Sequence, residues 1–489
     1  MAPASCNDPT HAELLATLER LVADNRAQAE QIRTLTETVE AQALTIAAQA
    51  KRIAVLEERV NRNSSNSSRP PSSDSPYKRA PPRAPSGRKQ GGQPGHPGSQ
   101  RALLDAKDVD EFVPHFPGAC SCGHPLPQVP DGDPVREQVW DIPPIKPHVT
   151  EHQFHAVVCP HCKKRTVATR GPELPAGSFG PRAQATAVYF LGAGRLSVME
   201  TKRVFADLLN FPISAGGLER IALRASNALA PAWDEALVAV KNAAVTHADE
   251  TPWYVKGALA WLWLAATETL RVFHVDPRRT IDAKKQFLGD VILGVLVSDR
   301  YVAYMGQPAE RHQFCLEHLK RDGQSLIDRG GAAKPFGEKF VGLVKTAMTE
   351  HRAFVHVHHD RTLMQETLRP AVQAMADLLV EGAEGEDDRV ANFSAHLIMK
   401  AESMWTFLDV EGCPTTNNLS ERGLRKPVMW RRNSLGSQSE RGCRFVERIL
   451  TTVESLRAQG RDVLAFLVET MGAAAQGRPP PSLLPPATG

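Results

Sequence analysis

The sequence predicts a multidomain α+β protein, and three observations support this prediction. The chain has 489 residues, which is too long for one ordinary core and corresponds to about three domains. Apolar residues recur every seven positions near the N-terminus, whereas residues 244–299 contain the alternating or continuous apolar runs that are typical of strands. The segments on both sides of this β region have helical periodicity.

Composition excludes a membrane protein and a secreted disulfide scaffold. Apolar residues make up 42% of the chain and charged residues 23%, as in soluble globular proteins. The start of the chain does not resemble a signal peptide, and the longest apolar runs are too short to span a bilayer. Eight cysteines in such a chain favour thiols or metal ligands. We therefore expect a cytoplasmic protein without a membrane partner. The net charge of +3 means that any nucleic-acid surface is local.

Residues 1–60 are predicted to form a coiled coil. Most residues of the first heptad position are β-branched, which suits a parallel two-stranded coil, and no Gly or Pro interrupts the pattern between residues 14 and 60. The alternative is a solitary amphipathic helix on a globular body. The two heptad positions are occupied by Leu18, Asn25, Ile32, Val39, Ile46, Ile53 and Val60, and by Leu14, Leu21, Gln28, Leu35, Gln42, Gln49 and Leu56.

Residues 61–100 are predicted to be a flexible basic linker. Pro, Ser and Gly supply 22 of them, and seven Lys or Arg face one acid, Asp74. Such a segment cannot bury enough apolar surface to fold, and its charge attracts phosphates. A solvated tether and a DNA-contacting arm both fit this composition.

Residues 101–170 are predicted to form a zinc-ribbon-like unit. The strings "REQVWDI" and "EHQFHAVV" alternate like short strands, and two cysteine pairs flank them. Cys159 and Cys162 have the usual two-residue gap, whereas Cys120 and Cys122 are separated by one residue. We expect these four cysteines to hold a structural zinc. Three nearby histidines could substitute as ligands: His115, His124 and His161.

Residues 171–235 are predicted to contain a helix-turn-helix. "SVMETKRVFADLL" has an apolar helical face, "NFP" ends it, and Ser214 can cap a second helix. Two helices joined by a tight turn fit a DNA-reading motif, although ordinary helical hairpins have the same pattern.

Residues 236–335 are predicted to form the first part of an α/β catalytic domain. Three strands are predicted first, over "AVTHADETPWYV", "ALAWLWLAAT" and "TLRVFHV". A helix over "TIDAKKQFLGD" follows, and "VILGVLV" is then a strand buried on both faces. This order is found in ribonuclease-H-like sheets, where Asp249 and Asp299 would lie on adjacent central strands. Each aspartate could also be a turn residue that ends a strand.

Two adjacent carboxylates repel each other unless a cation neutralises them. A pair of Mg²⁺ ions, roughly 3.5–4 Å apart, does so and also clamps the attacking and leaving oxygens of phosphoryl transfer. Glu250 competes with Asp249 for this role. Successive strand residues face opposite ways, so only one of the two can point into the site. A third carboxylate is needed for the second ion.

Six strings carry a family resemblance: "NSSNSSRPPSSD", "GGQPGHPG", "HADETPW", "SDRYVAY", "CLEHLKR" and "NNLSERGLRKP…RRNSLG". Together and in this order they resemble the DDE transposases of insertion-sequence family sixty-six, over nearly the whole chain. The resemblance implies a ribonuclease-H-like nuclease whose two Asp and one Glu hold divalent metals. The matching positions are Asp249, Asp299 and Glu421, with two Mg²⁺ ions expected and Mn²⁺ as a substitute. The resemblance also implies DNA cleavage and strand transfer.

The remaining segments complete the predicted organisation. Residues 336–412 are interpreted as an α-helical insertion, residues 413–475 as the second part of the catalytic domain with the Glu421 helix, and residues 476–489 as a disordered tail. His318 and Asn418 are candidate supporting residues of the active site. Five basic residues near Glu421 are candidate phosphate contacts, because guanidinium groups match phosphate oxygens: Arg422, Arg425, Lys426, Arg431 and Arg432. A solvated basic helix with an intrahelical salt bridge would have the same local pattern.

The expected partners are double-stranded DNA, in the form of terminal repeats and target, and a second copy of the chain bound through the coiled coil. Companion proteins of the same element are a further candidate partner. Two other functions compete with transposition: an inactive DNA-binding regulator on the same scaffold, and a structure-specific Mg-dependent DNA nuclease. The presence of all three acids argues against the regulator. The zipper, the linker and the end-binding modules favour transposition over a simple nuclease.

Overall fold

The computed structural model describes residues 11–61, 101–171 and 177–486. Helix α1 (His11–Asn61) is exposed at all of its described side chains, including the heptad positions Ile32 and Ile46, each 64% exposed. The continuous helix over residues 11–61 confirms the long helix predicted from the heptads. Its pairing with a second helix stays a prediction. The predicted linker lies outside the described residues from position 62 onward.

The cysteine-containing region has little regular structure. Strands β1 (Ala156–Val158) and β2 (Arg165–Val167) form an antiparallel hairpin around Cys159 and Cys162. The strand predicted over "REQVWDI" is wrong, because residues 136–142 have no strand partner. Gln138 instead bonds through its side chain to the backbone of Leu104.

A five-stranded mixed sheet lies at the centre of the C-terminal part, in the order β5-β4-β3-β6-β7. Within this sheet, β3 is antiparallel to β4 and β4 is antiparallel to β5. Strand β6 runs parallel to β3, and β7 runs parallel to β6. The predicted sequence of three strands, a helix and a buried strand is confirmed. The strands are β3 (Val245–Val255), β4 (Ala258–Ala266), β5 (Arg271–Asp276), β6 (Val295–Ser298) and β7 (His312–Phe314). The helix between β5 and β6 is α6 (Ile281–Leu288).

Local sequence explains two features of this sheet. Lys256 and Gly257 both have positive φ, 51° and 79°, and join β3 to β4 in the kind of tight turn that a twisted hairpin favours. Every residue of β6 is buried, as expected for a strand covered on both faces. Packing on both faces of β6 therefore fixes the position of its last residue, Ser298, and Asp299 follows directly.

One hydrophobic core joins the sheet to several helices, six of which lie in the flanking segments 181–241 and 440–475. These six helices are α2 (Pro181–Gly192), α3 (Val198–Asp207), α4 (Ala215–Ala228), α5 (Ala230–Lys241), α13 (Glu440–Ala458) and α14 (Val463–Ala475). The predicted helix pair is present as α3 and α4. Ser214 caps the start of α4, where its hydroxyl accepts a hydrogen bond from Gly217 N. The sequence boundary drawn at residue 235 does not coincide with a boundary in packing, because both sides share this core.

A second core lies at the other edge of the sheet, where helices pack on Val297 of β6 and Phe314 of β7. The predicted insertion is helical throughout most of its length. Its helices and the one before it are α7 (Leu316–Arg329), α8 (Ala333–Ala353), α9 (Arg361–Glu384), α10 (Asp388–Ile398) and α11 (Thr406–Asp409). Helix α12 (Asn418–Ser434) follows the insertion and packs on β3 and β4.

The tail predicted to be disordered is packed against the body over residues 482–484. Leu483 is fully buried, its amide donates to Glu235, and its carbonyl accepts from the Gln459 side chain. The apolar "SLL" string supplies enough buried surface to hold it. Among the described residues, no helix is long and apolar enough to cross a membrane.

Candidate functional site

The two predicted aspartates lie side by side at the centre of the sheet. Strands β3 and β6 are parallel neighbours, with Val245 opposite Val295 and His247 opposite Val297. Asp249 lies two residues beyond His247 in β3, and Asp299 lies two residues beyond Val297, directly after β6 ends. Continuing the register therefore brings the two aspartates to neighbouring positions. Both side chains are half-buried at the edge where β6 ends.

The surroundings of Asp249 disfavour its charge. Burial raises its pKa well above the ordinary value, and the nearby carboxylates of Glu250, Asp299 and Glu421 raise it further. Such a cluster of acids is costly in the ionised form unless a cation lies between them. The donor set consists of carboxylate oxygens only, which fits Mg²⁺ or Mn²⁺.

Helix α12 carries Glu421, more than a hundred residues further along the chain, and its carboxylate is near enough to raise the pKa of Asp249. Among the described residues, the ligand atoms of the three acids do not all lie within 4.8 Å of one another. The Glu421 Oε1 atom is buried and has no hydrogen-bond partner among the described residues. The closest cationic atoms are His318 Nδ1 at 3.7 Å and an Arg321 guanidinium nitrogen at 3.9 Å. Neither basic group comes from α12 itself. The intrahelical salt bridge considered from the sequence is therefore absent from this part of the chain.

Asn417, one residue before α12, ties the start of this helix to the sheet. Its amide nitrogen donates to Ala248 O at 2.8 Å, and its Oδ1 lies 3.0 Å from His247 Nδ1. Its backbone N–H donates to Cys315 Sγ at 3.2 Å. Asn417 is 1% exposed, whereas the predicted supporting residue Asn418 is exposed. Asn is favoured at the position before a helix, but this preference fits Asn418 equally, and the Asn417 side chain does not cap α12.

The far end of α12 is attached to the same strand. Ser437 N donates to Tyr254 O and Ser437 O accepts from Lys256 N, both at 2.8 Å. Midway along the helix, a side chain at Gly423 would place its Cβ 2.7 Å from Leu264, the residue opposite Asp249 in β4. Glycine at this position lets α12 lie close enough for Glu421 to reach the aspartates.

Glu250, the alternative to Asp249 as a metal ligand, already pairs with Arg279 and Tyr304. Its carboxylate accepts hydrogen bonds from Arg279 Nε at 2.7 Å and from the Tyr304 hydroxyl, and its side chain is 1% exposed. Arg279 also lies over the Tyr301 ring, 3.8 Å from its centroid. Glu250 is thus a buried, fully paired acid, while Asp249 on the opposite face has the carboxylates of Asp299 and Glu421 as neighbours.

The five predicted phosphate contacts divide into two groups. Lys426 pairs with Glu454 at 2.8 Å, and Arg431 donates to Thr251 Oγ1 at 3.3 Å and to Pro252 O. These two side chains hold α12 to its neighbours. The other three are exposed, and no ion pair or hydrogen bond of their side chains is found among the described residues: Arg422, Arg425 and Arg432.

The four predicted zinc ligands form two separate turns. Cys120 O accepts from Gly123 N, and Cys159 O accepts from Lys163 N. Hydrogen bonds from the paired cysteine of each turn lower the pKa of Cys120 and of Cys159, which favours the thiolate that zinc requires. Within the described residues, no three of these cysteine sulfurs lie within 4.8 Å of one another. The donors fit zinc, but the region has no buried residue to hold its two turns together.

The predicted helix-turn-helix pair is only partly available for DNA. Helix α4 buries Leu218, Ile221 and Ala225 in the first core and presents Arg220 and Leu223 to the outside. Its exposed face carries one basic side chain, Arg220, beside one acidic side chain, Glu219.

Comparison with known proteins agrees with this organisation. Residues 117–163, which include all four cysteines, match the zinc-finger binding domain of transposase IS66, and this match supports a structural zinc. Residues 2–102 match a family of unknown function. An uncharacterized protein, y4qI, of Sinorhizobium fredii is 23% identical over 274 residues, and the chain spans about half the length of this curated relative.

The largest match covers the part of the chain that contains the acids. Residues 176–444, more than half of the sequence, match the Transposase IS66 family. This range includes β3, β6 and the whole of α12, and so Asp249, Asp299 and Glu421. The family predicted from the sequence motifs is confirmed: the chain belongs to the IS66 family of transposases.

Proposed function

We propose that this transposase catalyses metal-dependent DNA cleavage and strand transfer at the terminal repeats of an insertion sequence. The observation that carries the proposal is the meeting of three acids from distant parts of the chain. Asp249 on β3 and Asp299, which directly follows β6, come from neighbouring strands. Support for Glu421 as the third acid is that its carboxylate, on a helix attached to β3 at both ends, raises the pKa of Asp249.

The fold that we propose for residues 236–475 is ribonuclease-H-like, with an α-helical insertion. Three antiparallel strands followed by two parallel ones, in the order β5-β4-β3-β6-β7, support this assignment. The helices α8 to α11 form the insertion between the last strand and the Glu421 helix. The insertion packs on β6 and β7 and leaves the face under α12 to the acids.

Asp249, Asp299 and Glu421 would hold the two Mg²⁺ ions. When bound, such ions activate the attacking water or 3′-hydroxyl and stabilise the leaving oxygen of in-line phosphoryl transfer. The protein supplies fixed carboxylates, and Asn417 and Gly423 position the one that comes from α12. No protein side chain is required as a general base.

The exposed basic side chains of α12 would bind the phosphates on either side of the reacting bond. Arg422, Arg425 and Arg432 are available for this, whereas Lys426 and Arg431 are held by contacts within the protein. His318 lies next to Glu421 and would be close to the reacting phosphate.

Recognition of the element ends would fall to the N-terminal half. The zinc unit, the exposed face of α4 and the basic linker are the proposed contacts to terminal repeats. The apolar stripe of α1 would pair with a second copy, so that two subunits bring two DNA ends together. Companion proteins of the same element are proposed as further partners.

A cleavage and joining assay tests this proposal. Labelled terminal-repeat DNA is incubated with the full-length protein and Mg²⁺, and with the variants Asp299→Asn and Glu421→Gln. We expect cleavage and joined products with the wild type, and a loss on the order of a thousandfold in each variant. Glu440→Gln, an exposed acid of α13, is the matched control and should cleave normally. Equal products from all four proteins would reject the enzyme, and binding without cleavage by the wild type would indicate a regulator.

A further inference from the structure

Glu421 also belongs to a second group of donor atoms, which the proposed chemistry does not use. Ligand atoms of Cys315, His318 and Glu421 all lie within 4.8 Å of one another. In the part of the chain that the structure describes, this is the one group of three metal-ligating side chains with such spacing. Cys315 follows β7 and His318 lies in the first turn of α7, so the backbone that carries both is fixed by the sheet.

Two atoms in this group lack the partners that burial normally requires. His318 Nδ1 and Glu421 Oε1 are both buried and make no hydrogen bond among the described residues. Buried polar atoms without partners cost free energy, and they are found where an ion or a ligand completes the site.

A plain ion pair explains this arrangement less well. The His318–Glu421 distance is 3.7 Å and the Arg321–Glu421 distance is 3.9 Å, both longer than a hydrogen bond. Neither contact includes Cys315, whose sulfur lies in the same group. A tetrahedral ion with bonds of about 2.0–2.3 Å holds its donor atoms about 3.5 Å apart. Side-chain displacements of about 1 Å would close the group around such an ion.

The ligand types select the ion. One sulfur, one imidazole nitrogen and one carboxylate oxygen suit Zn²⁺ or Cd²⁺, whereas Mg²⁺ takes oxygen ligands. The same Glu421 is the third proposed Mg²⁺ ligand, so an ion bound by Cys315 and His318 competes with Mg²⁺ for its carboxylate.

We propose that Cys315, His318 and Glu421 form a site for a thiophilic divalent cation, and that its occupation withdraws Glu421 from the catalytic site and inhibits the enzyme. The inhibition rests on the proposed function, while the binding site does not. On binding, the Cys315 thiol releases its proton to solvent and its sulfur bonds to the ion. The transposase would then be active with Mg²⁺ and switched off by zinc.

Cadmium binding tests the site directly. Cd²⁺ alone is titrated into the full-length protein, and the ultraviolet thiolate-to-metal absorption and the bound ions per chain are measured. The zinc-unit cysteines also bind Cd²⁺, so the readout is the difference between variants. We expect Cys315→Ser to bind one ion fewer than the wild type. His318→Gln should bind that ion at least tenfold more weakly, because even substitutions of residues that only hydrogen-bond to a metal ligand cost about 10–100-fold in affinity. Cys443→Ser, which removes a buried thiol in α13, should match the wild type. Equal binding by the wild type and both site variants would overturn the site.

Inhibition is measured separately. Mg²⁺-supported DNA cleavage is recorded with increasing Zn²⁺, and each protein is compared with its own activity without zinc. The zinc concentration for half inhibition should rise at least about tenfold in Cys315→Ser and stay unchanged in Cys443→Ser. Equal inhibition of both would overturn the competition for Glu421. If Glu421→Gln cleaved DNA normally, the proposed function would fail while the cadmium result stood on its own.

Discussion

The two halves of the molecule differ in what holds them together. From α2 onward the chain forms two hydrophobic cores around one sheet, and the three acids are fixed within this body. In residues 14–61 and 101–171, by contrast, no described side chain is buried. The body can therefore build its site by its own packing, whereas we expect the N-terminal half to need a second helix, a metal ion or DNA. Four predictions test this difference.

The largest effect is expected from zinc removal. A strong chelator, or the Cys159→Ser substitution, should abolish the order of residues 117–163, because zinc binding contributes on the order of 10 kcal/mol to domains of this size. The body should keep its melting temperature. Hydrogen exchange followed by mass spectrometry separates the two regions. Unchanged protection of residues 117–163 after chelation would show that they fold without metal.

In the body, a single buried amide should have a strong effect. Asn417→Ala removes two side-chain hydrogen bonds to β3 and should lower the free energy of unfolding by about 3 kcal/mol. The substitution should also displace Glu421 and reduce cleavage. Asn418→Ala, at the exposed neighbouring position, should cost less than about 0.5 kcal/mol. Denaturant unfolding of both variants gives the comparison, and equal costs would refute the assignment of Asn417.

In the N-terminal helix, the heptad face should matter and the opposite face should not. Ile46→Asp places a charge in the proposed seam and should weaken self-association by about 2 kcal/mol, or roughly thirtyfold in the dissociation constant. Leu44→Asp introduces the same charge on the other side of α1, at a residue that is 75% exposed. Sedimentation equilibrium measures both. If the two variants associate equally, or the wild type is monomeric, α1 is a solitary helix.

The most gradual effect is expected from pH. Burial lowers the pKa of His312 to about 3, and its Nε2 lies 2.8 Å from the Ser298 hydroxyl. The unfolded chain binds a proton near pH 6.5 and the folded chain does not. Stability should therefore fall as pH drops below 6.5, by up to about 1.4 kcal/mol per pH unit from this residue. His312→Gln should reduce this slope in denaturant unfolding between pH 4 and 6.5, and an unchanged slope would exclude His312 as a cause.

In the body, sequence patterns predicted the helices and strands well, but they did not predict which residues contact each other. The continuous run before Ser298 indicated a buried strand, and Ser214 indicated a helix start; both are confirmed. Periodicity could not decide between Asn417 and Asn418, because a helix boundary shifts by a residue without changing the pattern. It also could not show that α2 to α5 share the core of the sheet, since that depends on helices more than two hundred residues later.

In the N-terminal half, a local sequence pattern predicted a strand that does not form. The heptads and cysteine pairs of this half were recognisable in the sequence. The alternation in "REQVWDI" did not produce a strand, because a strand needs a partner and residues 136–142 pair with none. The tail was misjudged for a related reason. Its composition resembles a disordered segment, yet Leu483 alone is fully buried, next to Glu235 and Gln459, which hold its backbone.

The central claim is that Asp249, Asp299 and Glu421 hold divalent cations jointly. Binding of Mn²⁺ to the full-length protein, followed by electron paramagnetic resonance with Mg²⁺ as competitor, measures this most directly. The account predicts two Mn²⁺ ions that Mg²⁺ displaces, and a weaker binding in Asp249→Asn, Asp299→Asn and Glu421→Gln alike. Wild-type binding in all three variants, or a loss in Glu250→Gln alone, would contradict it.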